Sequence, residues 1–86
     1  MNLKEAKKLK SGAMVRMSWE TYAETQGRIG IVLSKMHVKE RHMAKGLSQW
    51  KDEKYDLIIH WFKKPFNIHD NPCVMENWQV MVVSHV

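Results

Sequence analysis

The stretch "RIGIVLSKM", residues 28–36, decides the fold, because it sets Ile29, Ile31, Val32 and Leu33 around Gly30 in a chain that has only four glycines. Ile29, Ile31 and Leu33 fall on one face of an extended strand, and Gly30, Val32 and Ser34 fall on the other. A glycine inside such a pattern marks a bulge, a sharp bend or the close approach of another backbone. In a barrel closed by few strands, a missing side chain lets the sheet coil tightly. The expectation is a second strand over 29–36, bent hard at Gly30.

The flanking segments supply its partners. Residues 13–18 alternate, with Ala13, Val15 and Met17 on one face and Met14, Arg16 and Ser18 on the other, which is the period of a half-buried first strand. Met14 and Met17 are expected in the core or beneath an N-terminal helix. The polar run 19–28 reads as a hairpin loop or a splayed excursion. The third strand, "YDLIIHWF" over 55–62, is rich in β-branched and aromatic residues and is stopped by Lys63-Lys64-Pro65. Its core face is expected to be Tyr55, Leu57, Ile59 and Trp61. Ile58 and Phe62, on the other face, would need cover from the long loop, the N-terminal helix or a partner.

Residues 37–54 are too long for a hairpin turn and too polar for a core strand, so they are expected to be a long insertion between strands two and three. Good helix formers over 38–45, followed by Gly46, suggest a short helix there, and a flexible excursion is the alternative. Residues 66–74 carry turn chemistry at Asp70-Asn71-Pro72 and one short edge strand. A single helical turn over 75–78 and a last strand over 79–83 follow. In the first ten residues, Leu3, Ala6 and Leu9 recur every third position among Lys4, Lys7, Lys8 and Lys10. That spacing predicts a basic helix of one or two turns, or a frayed arm, held by the rest of the domain.

Eighty-six residues make one domain, 1–86. Surface scaling gives burial of about 60 to 65% of the extended chain's surface, enough for one small core. With 44% apolar and 27% charged residues the chain has a globular composition, which argues against disorder. Cys73 is the one cysteine, so an intramolecular disulfide and a cysteine-built zinc site are excluded by count. No stretch reads as a secretory signal or a membrane-spanning helix, and a cytoplasmic protein in a reducing compartment is expected.

The order of pieces resembles a known group. "G-x-x-V-R" at Gly12 to Arg16 is followed by "G-x-I-G-I-V" at Gly27 to Val32, "Y-x-L-x-x-x-W" at Tyr55 to Trp61 and a final "W-x-V-M-V-V". This is similar to the small SH3-like, KOW-style β-barrel proteins encoded by bacteriophages, over residues 11–84. The resemblance implies a mainly β fold, a single SH3-like barrel of four to five antiparallel strands. It places Gly12 before the first strand and Gly30 where the second bends. It also implies a binding role, in the host cytoplasm or the virion, without choosing a ligand.

Catalytic chemistry is not expected. Cys73 has His69 four residues back, but it has neither an activating helix N-terminus nor a third orienting group. His37 and His42 are five apart, which suits neither one helical face nor a strand pair, so no metal or other cofactor is expected. The net charge of +5 favours anionic partners. Lys35, Lys39, Arg41 and Lys45, with Trp50 after them, are the expected contact residues, assisted by Lys4, Lys7 and Lys8. Trp19, Tyr22 and Trp50 would line a peptide groove in such a barrel. Two functions stand open on these residues. One is a protein-interaction or virion-assembly module, with self-association an option through the apolar surface of strand three. The other is a nucleic-acid-binding accessory protein, because lysines neutralise phosphates while aromatic rings stack on bases.

Overall fold

A computed structural model describes residues 1–19, 28–42, 50–63 and 69–85, with the side chains of 40–42 and 50–52 excepted. Its elements are α1 (Leu3–Lys8), β1 (Met14–Met17), β2 (Gly30–His42), β3 (Trp50–Trp61), β4 (Cys73–Glu76), a 3-10 turn (Asn77–Gln79) and β5 (Val80–Ser84). The strands form one antiparallel sheet in the order β4-β3-β2-β1-β5. Its edges, β4 and β5, are consecutive in the chain and joined by the 3-10 turn, yet they do not pair, so the sheet is not closed.

The alternation read in the sequence carries the core. Val15 and Met17 of β1 are buried, and so are Tyr55, Leu57, Ile59 and Trp61 of β3. Val32, Met75 and Val80 complete the sheet's inner face, and Ala6, Leu9 and Ala13 seal it from the N-terminal side. The helix forms locally because Asn2 and Glu5 make a reciprocal capping box. The Asn2 Oδ1 accepts from the Glu5 N–H at 2.8 Å and the Glu5 carboxylate accepts from the Asn2 N–H at 3.3 Å. Its six residues persist because Ala6 is packed into the core.

Gly30 lies opposite Trp61 and is buried. A Cβ at this position would collide with Ile59 Cγ2 and stand 3.0 Å from Trp61 Cε3. The glycine therefore makes room for two core side chains of the neighbouring strand. The irregularity of β2 lies three residues further on, where Leu33 has no partner between Val32↔Ile59 and Ser34↔Ile58. This bulge turns the alternation over, so that Lys35 and His37 come opposite the core residues Leu57 and Tyr55. Bending and close approach, expected at one residue, are divided between two. Gly12, ahead of β1, has φ 95° and needs glycine for its backbone.

Residues 37–54 differ from the expected insertion. The β2–β3 ladder runs unbroken through Val38↔Lys54 and Lys39↔Glu53 to His42↔Trp50, so the expected helix over 38–45 is replaced by strand as far as residue 42. Residues 43–49, with Lys45 and Gly46, lie outside the described residues. The physical reason is that a polar ribbon held by backbone pairing has no need of apolar alternation. Pairing satisfies its backbone, and that nonlocal ladder outweighs the local helix preference. The end of the chain shifts slightly: the expected helical turn over 75–78 is the end of β4 and the 3-10 turn.

Buried Asn77 ties three parts together. Its Oδ1 accepts from the Tyr55 N–H at 2.9 Å and its Nδ2 donates to the Met1 carbonyl at 2.9 Å. The Met1 amine donates to the carbonyls of Asn77 and Val80. At the other end of β3, the Asn71 side chain pairs with the Trp61 backbone, accepting from its N–H at 2.8 Å and donating to its carbonyl at 2.9 Å. The N-terminal helix closes the inner side and leaves the outer face open, with Ile58 39% and Phe62 60% exposed. Among the described residues no helix is long and apolar enough to cross a membrane.

Candidate nucleic-acid interface

The basic residues singled out from the sequence divide into two structural groups. On α1, the Leu3, Ala6, Leu9 spacing turns Ala6 and Leu9 inward, which leaves Lys4, Lys7, Lys8 and the following Lys10 exposed. On β2, Lys35 and Lys39 share one side of the ladder, and this is the side on which α1 packs, because Lys35 reaches the helix. Its Nζ donates to the Ala6 carbonyl at 2.9 Å and to the Lys7 carbonyl. Both are carbonyls of the last helical turn, so a cation there satisfies orphan acceptors and opposes the helix dipole.

Lys35 therefore joins the two groups. Its Nζ also stands 5.3 Å from the centroid of the Tyr55 ring, within cation–π range. On the same ring His37 stacks with a centroid separation of 4.6 Å and an interplanar angle of 15°. The His37 Nε2 is in turn 2.6 Å from Glu53 Oε1. Tyr55 is thus the anchor at which helix, β2 and β3 are fixed to one another.

Lys4, Lys7, Lys8, Lys10 and Lys39 make no ion pair with a described residue. Their charges face solvent and are open to an anion. Arg41 and Trp50 are placed as strand backbone, opposite Lys51 and His42 respectively, and Lys45 lies outside the described residues. Tyr22 also lies outside. Trp19 is 50% exposed beside the end of β1, where the Ser18 N–H donates to the Gln79 carbonyl at 2.9 Å.

Glu53 shares the side of Lys35, His37 and Lys39, whereas Asp56 and Glu76 lie on the opposite side of the ribbon. Lys54 bridges Glu76 at 2.7 Å and Asp56 at 3.5 Å. The hydrogen bond to Glu76 holds the Lys54 pKa above its ordinary value, aided by Asp56 and opposed by partial desolvation. The same bond, with a second from the Trp78 indole, holds the Glu76 carboxyl below the usual carboxylate range. Trp78, 60% exposed on the 3-10 turn, was missed by the sequence reading; the "W" at 78 read as part of a fold marker. Glu53 and Asn77 were missed as well, since their partners are distant in the chain. Among the described residues no three His, Cys, Asp or Glu side chains form a metal-binding group. The Cys73 thiol accepts from the Trp61 indole N–H at 3.3 Å.

No protein-family model, curated protein or solved structure significantly matches this chain.

Proposed function

We propose that the protein is a non-catalytic binding module that contacts nucleic acid through the face shared by α1 and β2. The observation that carries this reading is the convergence of Lys4, Lys7, Lys8 and Lys39 around Lys35. Lys4, Lys7, Lys8 and Lys39, from two chain-distant segments, are exposed and make no ion pair with a described residue; the one acidic strand residue opposite them, Glu53, contacts His37, while Asp56 and Glu76 pair with Lys54. Such a surface binds polyanions by releasing their counterions. Lys35 has a supporting role here, as the tie that holds helix and strand in one basic face. Titration of labelled duplex and single-stranded nucleic acids by fluorescence anisotropy, at low and physiological salt, tests the reading. Binding that persists at physiological salt with a steep salt slope is the expected result.

A second reading, a protein-interaction or virion-assembly module, is favoured by the outer face of the sheet. Ile58, Val74, Met36 and Phe62 are all more than a third exposed there, in adjacent strands. The finer fold assignment, an SH3-like barrel of the phage-encoded kind, is part of the same proposal. It is supported by the strand order and by the 3-10 turn that brings the two sheet edges to a common corner.

A further inference from the structure

We infer that the corner carrying Trp19 and Trp78 is a base-stacking platform and that the nucleic acid it takes is single-stranded: unpaired bases lie on the two indoles while the α1 lysines hold the phosphates. This rests on the nucleic-acid reading above and goes beyond it in naming the strandedness of the ligand and the residues that contact its bases.

Position is the first ground. The end of β1 and the 3-10 turn are fastened together, since the Ser18 N–H donates to the Gln79 carbonyl at 2.9 Å and the Ser18 hydroxyl donates to the Trp78 carbonyl at 3.1 Å. Trp19 follows Ser18, so two tryptophans far apart in the chain come to one corner. They are 50% and 60% exposed. Tryptophan is on average highly buried, as Trp61 is at 1% exposure in the core, so two open indoles at one corner mark a contact surface.

Ring chemistry is the second ground. The Trp78 indole N–H donates to the Glu76 carboxylate, so the ring's one polar group is occupied and what it leaves to solvent is apolar ring surface. The same bond restrains the ring's rotation. Among the described residues neither indole stacks on another aromatic ring. A base inside a duplex has both faces covered by its neighbours, whereas an unpaired base can lay one face on an indole.

Charge complementarity is the third. The helix starts at this corner, where the Asn77 Nδ2 donates to the Met1 carbonyl at 2.9 Å. Its last turn is bonded by Lys35, so Lys4, Lys7 and Lys8 lie between the corner and Lys35 on an element about 9 Å long. Arg16 adds a cation at the corner itself, where its Nη1 donates to the Met17 carbonyl at 3.3 Å. The Glu76 carboxylate is countered by Lys54 at 2.7 Å. A polyanion with splayed bases therefore meets rings and cations together. A proline-rich peptide, another ligand of exposed aromatics, would use the rings and leave the lysines idle.

The test uses the full chain with oligonucleotides of one sequence: single-stranded DNA, single-stranded RNA, duplex DNA and an abasic strand that keeps the phosphates without the bases. Binding is followed by fluorescence anisotropy of the labelled probes. The base-bearing single strands should bind about tenfold or more tightly than the duplex and the abasic strand. Trp78→Ala and Trp19→Ala should each weaken single-strand binding about tenfold and leave the salt slope unchanged, whereas Trp78→Phe should keep most of the affinity. Lys7→Glu with Lys8→Glu should weaken every probe and flatten the slope. Trp78→Phe retains a ring should the alanine variant misfold, and circular dichroism of each variant detects such a defect. Equal affinity for the abasic strand, preference for the duplex, or full affinity in folded alanine variants would overturn the platform and leave the nucleic-acid reading standing. Absence of binding to every probe would overturn both, and a proline-rich peptide that bound instead, with loss in Trp78→Ala, would assign the corner to protein recognition.

Discussion

The body of the sheet and its projecting arm are built from the same two strands, yet different forces hold them. From Gly30 to Val32 and from Tyr55 to Trp61, alternate side chains are buried against α1, β1, β4 and β5. Beyond Val38 and Lys54, among the described residues, the same strands pair only with each other. The body is stabilised by apolar burial, of about 1.5–3 kcal/mol for each large side chain removed from water. The arm has the backbone ladder and a few exposed ion pairs, each worth about 1 kcal/mol or less. One two-strand ladder therefore contains a half anchored in the core and a half that projects beyond it. The first fixes the position of the second.

The largest expected effects come from breaking the body. Trp61→Ala should lower unfolding free energy by about 3–5 kcal/mol, measured by chemical denaturation, because it empties the centre of the core and removes the indole bond to Cys73. Gly30→Val should cost about 1–3 kcal/mol or more through collision with Ile59 and Trp61. An unchanged melting temperature for that variant would refute the role given to the glycine. Asn77→Ala should cost about 1–3 kcal/mol, since it leaves the buried Tyr55 N–H without an acceptor.

Hydrogen exchange sharpens the contrast. Amides of 38–42 and 50–54 should exchange through local opening, well before those of 55–61, which should open only with the whole domain. Equal protection along the hairpin would mean that the arm is not a separate unit.

The smallest effect is a pH dependence at the arm's root. The folded-state pKa of Glu76 is depressed by Lys54 and Trp78. Its contribution is therefore complete above the ordinary carboxylate pKa and is lost as pH falls through the lower folded value. Glu76→Gln should flatten the acid limb of the stability profile below that ordinary value and leave neutral-pH stability little changed, because the pair is exposed. An acid limb identical to that of the parent protein would remove Glu76 from this role.

Some features were legible from local pattern. Period-two alternation found the core faces of β1 and β3, and the every-third spacing of Leu3, Ala6 and Leu9 found α1. The lysines of the basic face could be named, but not the fact that Lys35 is bound to helix carbonyls while Lys39 is open. That division depends on a contact across 29 residues of chain. The arm was misread as an insertion with a helix because its polar composition has no strand period, and its pairing partner lies beyond residues 43–49.

The sequence by itself determined the mainly β character, the buried faces of β1 and β3 and the basic character, because each follows from composition or from short-range periodicity that every folded arrangement must respect. Only the tertiary structure decided the rest. The bulge at Leu33 chose which side Lys35 and Lys39 occupy, Gly30 was explained by Ile59 and Trp61 across the ladder, and Asn77 was buried by its bonds to Tyr55 and Met1. Each of these is set by residues far apart in the chain, whose register is selected by the packing of the whole core.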